Sequence, residues 1–124
     1  MAETRRIDEL LEHMLRSFSE FIAVLVVDRS GLLINARYRA SLDKNLIFDL
    51  GACIAKIYGE VSALSCNDHG CNVERILVQC RERHLVIVKV GEAAVLGLLV
   101  TPKANLGMVF IEAQRYANQL AGIL

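Results

Sequence analysis

Apolar residues recur every three or four positions near both ends of the chain. Close to the N-terminus this spacing predicts an amphipathic helix with Thr4 as its N-cap, whose apolar positions are Ile7, Leu10, Leu11, Met14, Leu15 and Phe18. Near the C-terminus it predicts a last helix capped by Asn105, with apolar positions Leu106, Val109, Phe110, Ala113, Ala117, Leu120 and Leu124.

Two β-branched, apolar runs follow the first helix. Residues 21–27 and 32–38 predict two strands joined by Asp28-Arg29-Ser30-Gly31. Gly31 can adopt the left-handed conformation that a short hairpin loop needs, and the Asp28 side chain can accept a hydrogen bond from the backbone two residues on. Because no second carboxylate, histidine or lysine lies within a few residues, Asp28 is predicted to form a turn rather than a catalytic site.

Three further strands, at residues 73–80, 85–90 and 93–100, are separated by short polar turns and predict an antiparallel meander. In the first of them the apolar side is formed by Ile76, Val78 and Cys80, and the other side by Arg75, Leu77 and Gln79. This alternation predicts a half-buried strand, and its edge carries no proline or inward charge to prevent pairing.

A second helix is predicted over residues 43–64. Its most apolar stripe is expected to face the sheet and consists of Leu46, Leu50, Cys53, Ile54, Ile57, Val61 and Leu64. The opposite side carries few charges, and we interpret it as a partner-binding or dimer face formed by Ile47, Phe48, Gly51, Ala55, Tyr58, Gly59 and Ser62. Glycine in a helix interior costs about 1 kcal/mol relative to alanine, which favours an interface over neutral filler on a solvated face.

The predicted order is therefore α-β-β-α-β-β-β-α in one domain over residues 1–124. This order indicates an α+β fold with one five-stranded antiparallel sheet, the second helix on one face and the first and third helices on the other. A chain of 124 residues suffices for one core of this kind.

Composition narrows the function. The 14 basic and 14 acidic residues balance, and no dense basic run is present, so nucleic acid is not an expected partner. Hydrophobic residues make up 54 % of the chain, but the longest apolar runs fall short of the roughly 18 residues that span a bilayer. Without a secretory signal pattern, we expect a cytoplasmic protein with no membrane insertion, whose apolar surplus lies at an interface.

The four cysteines are read as reduced thiols, with Cys53 and Cys80 as small core residues. Cys66, His69 and Cys71 lie close together in a polar segment, but zinc prefers four ligands and no second pair is present. The pattern favours a loop over a metal site, and no cofactor is expected. No phosphate-binding glycine loop and no diagnostic nucleophile-base spacing occurs, so we expect no enzyme.

The order of elements and several segments together resemble the roadblock family, also called dynein light chain roadblock-type. These segments are the hairpin V-V-D-R-S-G-L-L-I, the small-residue second helix, and I-L-V-Q-C, V-G-E-A-A-V-L and N-L-G-M-V-F-I-E-A-Q-R-Y-A-N-Q-L. The likeness covers essentially the whole chain and is greatest to the bacterial and archaeal MglB-type members.

The resemblance implies a homodimer in which strand 73–80 pairs with its symmetry mate to form a ten-stranded sheet, with the two second helices side by side. It also implies a partner, a Ras-like small GTPase of the MglA type, that the protein regulates or scaffolds; the MglB-type branch promotes GTP hydrolysis. The C-N-D-H-G-C segment is a departure from the family pattern and leaves a metal- or redox-responsive variant open.

Two functional hypotheses follow. The first is a homodimeric, non-catalytic module that binds and regulates, or scaffolds, a Ras-like GTPase. The alternative is a small-molecule, metal or redox sensor on a PAS-like or profilin-like sheet. An interaction module predicts a filled core with an apolar outer face, whereas a sensor predicts an internal cavity or reactive thiols. Arg37 and Arg39 are candidate arginine fingers. The favoured interpretation is that these two charged residues keep the outer edge of the second strand from pairing with other sheets.

Overall fold

The computed structural model describes residues 2–66 and 72–124. Its elements follow the predicted order and are α1 (Ala2–Ser17), β1 (Phe21–Asp28), β2 (Leu33–Tyr38), α2 (Lys44–Cys66), β3 (Arg75–Gln79), β4 (His84–Val90), β5 (Ala94–Val100) and α3 (Leu106–Ile123). None of the described helices combines the length and apolar character needed to cross a membrane.

The five strands form one antiparallel sheet in the order β2-β1-β5-β4-β3. The central strand, β5, is buried along its whole length, which explains its continuous apolar sequence. The edge strands are β2 and β3, and β3 shows the predicted alternation of exposed and half-buried residues. The α+β architecture inferred from the sequence is therefore confirmed.

Two separate cores lie on the two faces of the sheet. On one face α1 and α3 pack against the side chains of β1, β4 and β5, and Leu11, Met14, Tyr116 and Leu120 are fully buried there. On the other face α2 packs against the alternate residues of the same strands. The predicted placement of the three helices is correct.

The turn between β1 and β2 is held by the Asp28 carboxylate. Its Oδ1 accepts hydrogen bonds from the Ser30 backbone N at 2.9 Å, the Ser30 hydroxyl at 2.7 Å and the Leu32 backbone N at 3.0 Å. Gly31 has a φ of +101°, the left-handed region that the turn requires. The turn role of Asp28 is thus confirmed. These hydrogen bonds, of which the one from the Ser30 hydroxyl has the largest effect, lower the pKa of the Asp28 carboxyl from 3.8. Their contribution to stability is therefore lost as the pH falls through this lowered pKa.

The structure also tests the predicted helix caps and the predicted burial of two cysteines. The Asn105 side chain accepts a hydrogen bond from the Met108 backbone N at 3.1 Å, which confirms the cap of α3. The N-cap prediction for Thr4 is wrong, because α1 already begins at Ala2. Cys53 and Cys80 are exposed, so their assignment to the core is also wrong.

One tight contact between α2 and the sheet lies at Gly97 of β5. A Cβ added to Gly97 would overlap Ile54 Cδ1, and Ile54 Cγ1 would lie 3.3 Å away. Ile54 is fully buried, so its side chain fills the space that any larger residue at position 97 would occupy. The absence of a side chain at this position in β5 therefore lets Ile54 of α2 pack directly on the strand backbone.

We predict that Gly97→Ala lowers the free energy of unfolding by about 1–3 kcal/mol, because overpacking forces Ile54 or α2 to move. Ile54→Val alone should cost about 0.5–1.5 kcal/mol. The double variant should be more stable than the sum of the two losses implies, since valine lacks the Cδ1 that meets the new methyl group. Urea unfolding of the wild type, the two single variants and the double variant at one chain concentration measures the coupling between positions 54 and 97. Strictly additive losses in the free energy of unfolding would contradict the contact between Ile54 Cδ1 and a methyl group at position 97.

Candidate functional site

The sheet-facing side of α2 overlaps only partly with the one predicted: Ile54 is fully buried as expected, and Leu50 and Ile57 are half-buried against the same core. Ile47, Ile54 and Tyr58 are 2 %, 0 % and 4 % exposed, and Gly51 is also buried. These residues form one stripe at the 100° spacing of a helix, about a quarter turn from the stripe expected to face the sheet. The prediction that Ile47, Gly51 and Tyr58 form an outer face is therefore wrong.

Small residues on α2 serve contact with the chain's own sheet. A Cβ on Gly51 would lie 3.4 Å from Leu33 Cδ1, and the Ala55 Cβ lies 3.8 Å from the Cβ position of Gly31. The Tyr58 hydroxyl donates a hydrogen bond to the Val73 carbonyl at 2.8 Å, which satisfies the polar end of a buried ring.

The seven residues of the predicted partner face are therefore distributed over both sides of the helix. Only Phe48 and Gly59 are exposed, whereas Ala55 and Ser62 are half-buried. Whether the exposed part of this face binds a partner stays a prediction.

An apolar stripe lies on one flank of α2, which we name the β3-side flank, and it is only partly covered by the chain's own sheet. Ala55 and Gly51 point toward β2 and Ile54 toward β5, so the next positions around the helix point toward β4 and β3. Leu64 is 83 % exposed and Leu46 is 43 % exposed. The flank consists of Leu46, Leu50, Cys53, Ile57, Val61 and Leu64.

The opposite flank, which we name the β2-side flank, consists of Phe48, Ala52, Gly59 and Ala63. Phe48 is 53 % exposed, and the Lys44 ammonium lies 6.0 Å from the centre of its ring. In the part of the chain that the structure describes, no atom other than those of the adjacent residues and the nearby helix backbone lies within 4 Å of a Cβ built on Gly59, so this flank is open as well as small. The exposed charges Asp49, Lys56 and Glu60 separate the two flanks.

The free edge of β3 lies beyond the β3-side flank. Arg75, Leu77 and Gln79 pair with residues of β4 that face α1 and α3, so they lie on that side of the sheet. Ile76 and Val78 lie on the α2 side and are half-buried. In the described chain the β3-side flank and β3 lie next to the same core, against which Leu50, Ile57, Ile76 and Val78 pack, and the outer edge of β3 pairs with no other strand.

The two arginines considered as fingers are engaged inside the chain. Arg37 forms an ion pair with Asp8 of α1. The Arg39 guanidinium donates to the carbonyl oxygens of Leu15 at 2.8 Å, Phe18 at 3.1 Å and Phe21 at 3.1 Å. Both residues attach α1 to β1 and β2, so their candidacy as fingers is not supported.

Of the three candidate metal ligands, only Cys66 belongs to the residues that the structure describes. Cys66 is the last residue of α2, whereas His69 and Cys71 lie outside the described residues. Among residues 2–66 and 72–124, no group of three histidine, cysteine or acidic side chains is placed to hold a metal ion. A metal site at Cys66, His69 and Cys71 stays an untested alternative.

No protein-family model and no curated protein sequence matches the chain. Solved structures do match. An MglB with tetrameric arrangement is 26 % identical with a TM-score of 0.87, over 99 % of this chain and 90 % of that one. The gliding protein MglB of Thermus thermophilus is 25 % identical with a TM-score of 0.87, over 99 % and 91 %. A roadblock/LC7 domain of Streptomyces avermitilis is 15 % identical with a TM-score of 0.82, over 91 % and 92 %.

These matches confirm the resemblance found in the sequence: the chain has the fold of the roadblock/LC7 domain proteins. Among proteins of that class it is similar to MglB over nearly its whole length.

We predict opposite effects of one substitution at two glycines of α2. Gly51→Arg should lower the free energy of unfolding by at least about 3 kcal/mol, because the side chain would place an unpaired charge against Leu33 and Val27. Gly59→Arg should leave stability unchanged or raise it by up to about 1 kcal/mol, through helix propensity. Thermal unfolding of both variants tests the rotation of α2, and equal destabilisation would contradict it.

Proposed function

We propose that the protein is a homodimeric, non-catalytic interaction module that binds a Ras-like small GTPase of the MglA type and promotes its hydrolysis of GTP. The observation that carries the proposal is the pair of exposed apolar flanks of α2 beside the free edge of β3, in a fold shared with MglB. Monomeric proteins rarely leave such a surface exposed.

The dimer forms by antiparallel pairing of β3 with its symmetry mate. A twofold axis perpendicular to the sheet keeps each side chain on its own face, which limits pairing to a few registers. Pairing centred on Leu77 places Leu77 opposite itself, Ile76 opposite the partner's Val78, and Arg75 opposite the partner's Gln79. Registers centred one residue earlier or later place Leu77 opposite Arg75 or Gln79, so the Leu77 register is the one that matches apolar with apolar residues.

The flanks of α2 then have different tasks. The β3-side flank points toward the dimer axis, where the partner's α2 approaches and can cover residues such as Leu46 and Leu64. The β2-side flank points away from the axis and remains open. We assign it to the GTPase, with Phe48 as the large apolar side chain at the centre of the contact and Gly59 allowing close approach.

GTP hydrolysis is promoted without an arginine from β2 or from the turns that flank it. Arg37 and Arg39 are held by α1, and the Arg29 guanidinium lies 5.2 Å from the centre of the Tyr58 ring, within reach of Glu92. With these three arginines engaged, we assign to the protein the other mode of activation, in which the GTPase's own catalytic residues are repositioned. Contact through a rigid helix is suited to this role.

The register gives a direct prediction for the dimer. In a background with all native cysteines changed to serine, Leu77→Cys should form a disulfide-linked dimer on oxidation, because the two residues face each other across the axis. Ile76→Cys alone and Val78→Cys alone should not, whereas a mixture of these two should cross-link. Light scattering that reports a monomeric wild type at about 10 μM, or cross-linking in the single controls, would contradict the pairing.

The GTPase contact is tested with Phe48→Glu. Because Phe48 is 53 % exposed, the variant should keep the melting temperature and mass of the wild type. Its affinity for an MglA-type GTPase from the same genome, loaded with a GTP analogue, should fall at least tenfold, about 1.4 kcal/mol. Single-turnover GTP hydrolysis should fall in parallel.

Ile111→Glu, on the opposite face of the sheet, is the matched control and should bind the GTPase normally. If the wild-type protein binds the GTPase in neither nucleotide state, the proposed function is wrong. If Phe48→Glu binds normally, the β2-side flank is not the contact.

A further inference from the structure

We propose that the dimer carries a second docking site, on the α3 face of its sheet, that accepts one amphipathic helix with acidic flanks from a partner protein. The site rests on the β3-paired dimer proposed above and lies on the face opposite the α2 flanks. It is a trough whose floor is the pair of β3 strands and whose walls are the two α3 helices.

Each chain supplies half of this trough. A groove of about 510 Å³ lies between β3 and α3 and is lined by Arg75, Phe110, Ile111 and Gln114. Ile111 is 68 % exposed, and Leu77, on the same face of β3, is 37 % exposed. These apolar side chains lie outside the chain's own cores, so an apolar occupant would bury them.

The width of the trough follows from strand spacing. Because α3 packs over β4 and β5, its axis lies about two strand spacings from the dimer axis, and the two α3 axes are therefore about 19 Å apart. A helix is about 10–12 Å wide with its side chains, so the two α3 helices do not touch each other. One additional helix at the centre would lie about 9.5 Å from each α3 axis, within the 8–10 Å of ordinary helix packing.

The sheet and the charges specify the occupant further. In the dimer the two β3 edges pair with each other, so an extended peptide would find no free backbone groups on the floor of the trough. A helix forms its backbone hydrogen bonds internally and needs none from the floor. Arg75 is the charged residue that lines the groove, and its Nη1 donates to Gln114 Oε1 at 3.3 Å. The twofold axis places a second Arg75 at the other end of the trough. Two cations, with no carboxylate among the described lining residues, favour acidic residues along the flanks of the bound helix.

The test uses a synthetic helical peptide of about 18 residues, about 27 Å long, with leucines at i, i+3, i+4 and i+7 and glutamates beside them. A second peptide has lysine in place of every glutamate. Fluorescence anisotropy with the full-length wild-type dimer should show one acidic peptide bound per dimer and at least tenfold weaker binding of the basic peptide. Arg75→Gln should reduce this preference between the two peptides.

Ile111→Glu should weaken binding of the acidic peptide at least tenfold, whereas Gln119→Glu, which adds the same charge to the other side of α3, should have little effect. No binding of the acidic peptide, equal effects of the two glutamate variants, equal binding of the two peptides, or two peptides per dimer would each overturn the trough. Mass and GTPase binding are measured on the same samples. A dimer that binds its GTPase but not the peptide refutes the trough alone, whereas a monomeric wild type refutes the dimer on which both proposals rest.

Discussion

The packing of α2 against the sheet is the constraint on which the remaining surface depends. Ile54 occupies the space above Gly97, and Gly51 lets the helix backbone approach Leu33 on β2. These contacts on either side of β1 fix the rotation of α2 about its own axis. Once that rotation is fixed, only Ile54 of the most apolar stripe is fully buried, and Leu46, Cys53 and Leu64 remain exposed on the β3-side flank.

The order and type of the elements were predictable because they depend on local periods. Alternation with a period of two and apolar spacing with a period of 3.6 lie in the sequence itself. The turn at Asp28 was predictable for the same reason, since its carboxylate bonds to groups two and four residues away. The cap at Asn105 is equally local.

The rotation of α2 was not predictable by the same reasoning. A helical projection assumes that the most apolar stripe faces the core, whereas here that stripe is only partly buried and the buried side also contains a glycine and a tyrosine. A small residue that allows contact with the chain's own sheet has the same sequence pattern as one that allows contact with a partner. Arg39 presents a similar difficulty, because its carbonyl acceptors lie 18 to 24 residues away and follow from the tertiary fold alone.

The two proposed partner surfaces lie on opposite sides of one sheet. In a β3-paired dimer that sheet is continuous, so a GTPase on the α2 side and a helix on the α3 side would not collide. β3 nevertheless contributes to both sides of the sheet, since Leu77 lies on the floor of the trough and Ile76 and Val78 lie on the α2 side, where the two α2 helices approach each other. Any shift in the pairing of β3 would therefore change the floor of the trough and, at the same time, the relative position of the two GTPase-binding flanks. Coupling between the two partners, where it exists, would pass through the register of the dimer, because a tightly packed sheet offers few other elements with two discrete arrangements.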